Sequence, residues 1–298
     1  MSKVAILMST YNGEKYLSKQ LESIANQTFK GEIAVYIRDD GSKDNTEKII
    51  DKWQERVHIS YRKGKNLGPA LSFWNLFSDD SIRADYYAFC DQDDIWDSNK
   101  IEKAVEHLNG NVHLYAANCR SIDSSDIVIE KRRKKTAPVF KIEHLFVSGI
   151  TQGCAMVFTD ELREFILRKR ITCIPMHDLI VCMYAYYYKD FFWDETPRFS
   201  YRFHENNVIA RKDRNRLKNL LVKVKKWDKQ QFAEIVATEL LMNNPDIESD
   251  EEQRFLKAIS CYKRSLKNKL IVIFNSSIRR CPKSALKSFY LRVLLDKL

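Results

Sequence analysis

Val4-Ala5-Ile6-Leu7-Met8 is an unbroken apolar run that stops abruptly at Ser9-Thr10-Tyr11-Asn12-Gly13. A run with no polar alternation suits a strand covered on both faces within a parallel sheet. The pattern recurs. Ile33 to Ile37 ends at Arg38-Asp39-Asp40-Gly41-Ser42, a third strand is expected over Val57 to Tyr61, and Tyr86 to Cys90 ends at Asp91-Gln92-Asp93-Asp94. Helical spacing lies between these runs. Leu17, Leu21, Ile24 and Ala25 share one face. A second helix starts near Asp44, with Glu47 as its capping-box partner, and buries Ile49, Ile50 and Trp53. Asn66-Leu67-Gly68-Pro69 turns the chain into a third helix through Ala70, Phe73, Trp74 and Phe77. Strands alternating with helices predict an α/β fold, a doubly wound and mostly parallel sheet with right-handed crossovers.

Ligands of such sheets bind outside the carboxyl ends of the strands. Three polar clusters fall on that edge: Thr10-Tyr11-Asn12, Asp39 to Ser42, and Asp91 to Asp94. An acidic triplet alone is usually a solvated turn, but carboxylates following two different strands on one edge point to a site. Packed carboxylates repel unless a cation neutralises them. Oxygen ligands without a Cys or His pair favour Mg2+ or Mn2+ over zinc. Neither G-x-x-x-x-G-K-[ST] nor G-x-G-x-x-G occurs, so a metal bridging to a diphosphate takes the place of a Gly-rich cradle.

Charge is divided unevenly. Residues 1–210 carry 29 Lys+Arg and 30 Asp+Glu, a net of −1, whereas residues 211–298 carry 21 and 10, a net of +11. Two parts are therefore expected, a catalytic domain over 1–210 and a basic, mainly helical region over 211–298. No apolar run approaches the ~18–20 residues that span a bilayer, and Ile180 to Tyr188 reads as a buried helix. The N-terminal run has no signal-peptide pattern. Seven scattered cysteines without a C-x-x-C pair predict a reducing cytoplasmic location, at the inner face of the cell membrane if the basic helices touch lipid.

Ser9-Thr10-Tyr11-Asn12-Gly13, Asp39-Asp40-Gly41-Ser42-x-Asp44-x-Thr46 and Asp91-x-Asp93-Asp94 together resemble the signature of family 2 glycosyltransferases. These are inverting enzymes of the GT-A fold that use nucleotide-diphosphate sugars. The Asp-Gln-Asp-Asp-Ile-Trp form is similar to rhamnosyltransferase-like members that build bacterial surface polysaccharides. The resemblance covers roughly residues 3–210. It implies that Tyr11 stacks on the nucleotide base and Asp40 bonds its edge. The backbone around Thr10, with Asn12 and Asn66, would lie along the nucleotide, Asp91 would face the ribose and metal, and Asp93 would hold the metal on the diphosphate. Asp39 and Asp44 read as turn and capping residues, while Asp94 fits either a ligand or the cap of a helix starting near Ser98.

The second half of the site is implied in the same way. Gln152-Gly153 opens a segment that lies against the sugars in the family, and Cys154 reads as buried rather than nucleophilic. His177-Asp178 starts a helix. An Asp there is ordinarily a cap, but the resemblance makes Asp178 the base that deprotonates the acceptor hydroxyl, with His177 on the acceptor side. Tyr201-Arg202-Phe203-His204 resembles the segment that closes the domain. His204 would reach the metal or the diphosphate, and Arg202 would neutralise charge developing on phosphate or contact the sugar. Lys131-Arg132-Arg133-Lys134-Lys135 reads first as a solvated loop and second as a contact for an anionic lipid or diphosphate acceptor.

Leu217, Leu220, Leu221 and Val224, and again Leu286, Phe289, Tyr290 and Val293, repeat at helical spacing beside lysines. Such helices pack on their own domain, pair into a homodimer or lie on an anionic membrane. The implied activity is transfer of a sugar to a glycan or lipid-linked acceptor, with dTDP-rhamnose leading over UDP-sugars. A sugar-nucleotide nucleotidyltransferase would need a Gly-rich, basic triphosphate loop that Ser9 to Gly13 does not provide. A non-catalytic nucleotide-sugar binder would not need Asp178. Nucleic-acid binding is not expected, because the basic helices carry little aromatic interleaving and no recognised motif.

Overall fold

The computed structural model describes residues 1–108, 111–188, 190–204, 232–247 and 249–298. Among the described residues nine strands form one sheet: β1 Lys3–Thr10, β2 Glu32–Asp39, β3 Ile59–Lys63, β4 Tyr86–Asp91, β5 Ile95–Trp96, β6 Val112–Ile122, β7 Val128–Glu130, β8 Met156–Thr159 and β9 Asp190–Arg202. Their order is β3-β2-β1-β4-β8-β6-β9-β5, with β7 on β6. β3, β2, β1 and β4 run parallel, as do β6 and β9, and the short antiparallel β8 joins the two groups. The doubly wound, mostly parallel sheet expected from the alternation is present. The chain steps outward from β1 to β2 and β3, then returns to β1's other side as β4. The switch point therefore lies between β1 and β4, where a crevice must open. Register places Thr10 opposite Asp39 and Ser9 opposite Asp91 at that edge.

Helices α1 Leu17–Ala25, α2 Thr46–Trp53, α3 Pro69–Phe77, α4 Lys100–His107, α5 Ile142–Ser148, α6 Asp160–Leu167 and α7 His177–Tyr188 pack on this sheet. The apolar faces read from the sequence turn inward, with Leu17, Leu21, Phe73 and Phe77 buried, and α7 is a buried helix. Local details differ. β3 begins at Ile59, because Val57 closes the turn of α2 by donating its N–H to the Trp53 carbonyl at 2.9 Å. The capping box does not form. Asp44 accepts from the Thr46 and Glu14 amides at 3.1 and 3.0 Å, while Glu47 reaches Lys63 at 2.9 Å. Asp94 does not cap α4; its Oδ1 accepts from the Arg202 amide at 3.3 Å.

The basic run is not a solvated loop. Asn118 bonds the Lys134 backbone on both sides, at 2.7 and 3.0 Å, Arg132 pairs with Glu195 at 2.7 Å, and Arg133 lies 4.6 Å above the Tyr201 ring. Pairing along β6 pulls these side chains onto the domain, leaving Lys131 and Lys135 exposed. Beyond β9, α8 Ala233–Asn243, α9 Asp250–Ile259, α10 Leu266–Ile273 and α11 Lys283–Leu294 continue the same apolar cluster. Glu252 of α9 accepts from the Tyr186 and Tyr187 hydroxyls of α7 at 2.8 and 2.5 Å, and Phe255 meets Phe146 edge-on. On α11, Phe289 and Val293 are buried and Leu286 and Tyr290 pack against the cluster, so this face is not free for a membrane. The 217–224 pattern lies outside the described residues.

Candidate active site

The crevice beyond β1 and β4 is a cleft of about 1240 Å³, above the ~300–1,000 Å³ that holds a drug-sized ligand. Tyr11, Asn12, Asp40, Asn66, Asp91, Asp93, Gln152, Gly153, His177, Asp178 and His204 all line it. The side chains of Thr10 and Arg202 do not. Thr10 is fully buried, presenting its backbone to the edge by accepting from the Asp40 amide at 2.7 Å. Arg202 is fully buried too. It donates to the Asp93 and Asp123 carbonyls at 2.8 and 3.1 Å and ion-pairs with Asp126. Its geometry is that of a tie holding the Asp93 loop, not of a side chain reaching a sugar.

On the β1 side Tyr11 is 46% exposed, free to offer its ring. Its backbone is held at both polar groups by Gln92: Oε1 accepts from the Tyr11 amide at 2.9 Å and Nε2 donates to the Tyr11 carbonyl at 3.0 Å. Asn12 takes φ 49°, which Asn tolerates better than most residues, and its Oδ1 accepts from the Lys43 amide at 2.9 Å. Asp40 accepts from the Leu67 and Gly68 amides at 2.8 Å each and pairs with Arg38. That shapes the Asn66 loop and requires Gly68 at φ 78°. Asp39 accepts from the Ser42 amide at 3.0 Å and so builds the turn.

At the cleft floor His204 Nε2 meets Asp93 Oδ2 at 2.6 Å. The imidazole stacks on Tyr16 at 5.1 Å, and Arg202 lies 4.4 Å from that same ring, so Tyr16 is the platform that orients His204. Behind them Asp91, Asp94 and the Cys154 thiol converge within 4.8 Å. Burial, then the charges of Asp93 and Asp178, raise the Asp91 carboxyl above the ordinary range. Asp94 is raised by burial and by Asp91, and its Oδ2 has no bonding partner among the described residues. Cys154 is buried and its thiol pushed up by burial, which fits a packed residue rather than a nucleophile. Crowded carboxylates with an orphaned oxygen and an adjoining imidazole are a donor set that fits a hard divalent cation.

Opposite, a short 3-10 turn, Gly153–Ala155, leads into β8 and brings Gly153 against the start of α7. The Gly153 amide donates to Asp178 Oδ2 at 3.1 Å, while Oδ1 accepts from the Leu179 amide at 2.8 Å. His177 is buried against Phe73 at 4.2 Å and Phe89 at 4.6 Å, and neither ring nitrogen has a partner among the described residues. Burial lowers it to about 4, so the ring is neutral at pH 7 and acts as packing behind Asp178. A Cβ at Gly153 would stand 2.6 Å from His177 Nε2, which is why glycine is needed here. Gln92 and Tyr16 were not expected from the sequence. Both act by tertiary contact, and the only sequence signal is Gln92's place between two aspartates.

The model of glycosyl transferase family 2 matches residues 5–193. The chain is 31% identical over 219 residues to the dTDP-rhamnosyl transferase RfbG of Shigella flexneri, covering 68% of this chain and 73% of that protein. In structure it is similar to TarS 1–349 of S. aureus, determined with UDP-GlcNAc: TM-score 0.63, 17% identity, 99% of this chain and 80% of that one. It also resembles the mannosyltransferase PcManGT of Pyrobaculum calidifontis, determined with GDP-Man and Mn2+: TM-score 0.54, 14% identity, 100% of this chain and 88% of that one.

Proposed function

Since the chain belongs to glycosyltransferase family 2, we propose that it transfers L-rhamnose from dTDP-rhamnose, with inversion, to a hydroxyl of a glycan or lipid-linked acceptor. The observation that carries this is the meeting of Asp93–His204 and Asp178 across one cleft at the β1/β4 switch point. The nearest support for the donor is the 31% identity to a dTDP-rhamnosyl transferase; a UDP-sugar is the second reading. The chemistry belongs to residues 1–210.

In this reading Tyr11 stacks on the base, with Gln92 fixing its backbone, and Asp40 holds the Asn66 loop alongside. Asp93 and His204 would hold Mn2+ or Mg2+, with Asp91 nearby, and the cation would offset charge on the departing diphosphate. Tyr16 and Arg202 keep that pair in place. Asp178 takes the proton from the acceptor hydroxyl at one carboxylate oxygen as that hydroxyl attacks the anomeric carbon; the sugar–phosphate bond breaks on the opposite face. The Gly153 and Leu179 amides hold Asp178 in orientation, and the apolar His177–Phe73–Phe89 packing excludes water behind it. Turnover of dTDP-rhamnose beside UDP- and GDP-sugars, with and without Mn2+, tests the proposal: it stands if the dTDP sugar alone is consumed with metal and fails if none is.

A further inference from the structure

Away from the cleft, α10 directs a line of apolar side chains into solvent. Leu266 is 70% exposed, Leu270 45% and Phe274 68%, at spacings of four that stack them along one side of the helix. The end of α11 lies beside them, where Lys269 Nζ donates to the Leu294 carbonyl at 3.4 Å, and Leu294 is itself 56% exposed. A continuous apolar line of this kind marks an interaction surface.

Charge selects the occupant. Residues 261–298 hold ten Lys+Arg and a single acidic residue, Asp296, and Asp296 pairs with Lys269 at 2.9 Å. Arg264 and Lys267, next to the apolar line, are exposed, as are Arg279, Arg280, Lys283 and Lys287. A second copy meeting this face would set the same positive charge against itself. Residues 211–231, with nine Lys+Arg and two Asp, would do so as well. Nucleic acid would match the charge but leave the aliphatic line in water. An anionic bilayer satisfies both features, because aliphatic groups reach the acyl boundary while lysine and arginine stems extend to the headgroups.

We propose that α10 and the end of α11 dock this protein on an anionic lipid surface through Leu266, Leu270 and Phe274, with Arg264 and Lys267 at the headgroups. The proposal is independent of the donor and of the transfer chemistry. It also moves the part of the expected membrane contact that fell on α11, whose apolar face is buried, to α10.

The test is co-flotation of the full chain with phosphatidylcholine vesicles, with and without phosphatidylglycerol, alongside Leu270→Asp/Phe274→Asp and Lys267→Glu variants. All three positions are exposed, so the variants should fold, which their thermal unfolding checks. The wild type should bind the phosphatidylglycerol vesicles and not the neutral ones. The double variant should bind about tenfold more weakly and Lys267→Glu about fivefold. Equal binding by the double variant, or no binding by the wild type, would overturn the proposal. So would a wild-type dimer, seen by light scattering, that the double variant splits, since the face would then belong to a second copy.

Discussion

The Gln92 side chain bonds both backbone polar groups of Tyr11, across 81 residues of sequence and the switch point of the sheet. The aromatic residue at the end of β1 is thereby locked to the end of β4. The same contact explains Gly13. A Cβ there would come 2.4 Å from Gln92 Oε1 and 2.9 Å from its Cδ. Two bonds worth roughly 0.5–1.5 kcal/mol each imply that Gln92→Ala raises the donor Kd about tenfold. Gly13→Ala displaces the same amide, so the double variant should lose little more than either single one. Calorimetric titration of nucleotide-sugar into the four proteins measures this directly.

Gly153 bonds the carboxylate of Asp178, and the buried His177 imidazole stands beside it, packed against Phe73 and Phe89. A Cβ at Gly153 would stand 2.6 Å from the buried His177 Nε2 and 3.4 Å from the Asp178 Cβ, so Gly153→Ala shifts the start of the helix that carries Asp178. Displacing a base by about 1 Å can cost on the order of 100-fold in rate. Gly153→Ala should therefore lower kcat 10- to 100-fold, roughly, with donor binding intact.

His177 also sets a pH dependence of stability. Its folded pKa of about 4 lies below the ordinary 6.5 because of burial. The unfolded chain then binds the extra proton between those values, so stability is full above about 6.5 and falls as pH drops towards about 4. A shift of that size corresponds to about 3 kcal/mol. Urea midpoints across this range should fall less steeply for His177→Leu than for the wild type.

The Tyr16 ring stacks on the His204 imidazole and contacts the Arg202 guanidinium. Groups that orient a metal ligand typically cost about 10–100-fold in metal affinity when removed. Tyr16→Leu should weaken Mn2+ binding by about that factor, and chelation should abolish donor binding in every variant. Manganese titration followed by electron paramagnetic resonance reads the first effect without relying on turnover.

Much of this was legible in the sequence because it follows from short-range pattern. The apolar runs and their polar ends located β1, β2 and β4, and parallel winding brought Thr10, Asp39 and Asp91 to one edge. What escaped depends on long-range contact. Nothing local marks Gln92 as a backbone clamp rather than a spacer, or Tyr16 as a platform. Arg202 read as a contact within the site, yet its guanidinium is spent on the Asp93 and Asp123 carbonyls. Similarly, helical spacing on α11 reports an apolar face but not which neighbour covers it, while the exposed line on α10 is hidden in the sequence because Ile271, Val272 and Ile273 are equally apolar and blur its spacing.

The central claim is a division of labour across the cleft, with Asp93 serving donor and metal and Asp178 serving the acceptor. Nucleotide-sugar binding and turnover by the wild type, Asp93→Ala and Asp178→Ala, with and without Mn2+, measure it most directly. The account predicts metal-dependent binding that Asp93→Ala loses, and retained binding in Asp178→Ala with turnover reduced by about 100- to 10,000-fold. Wild-type turnover by Asp178→Ala, or no nucleotide-sugar bound under any condition, would contradict it.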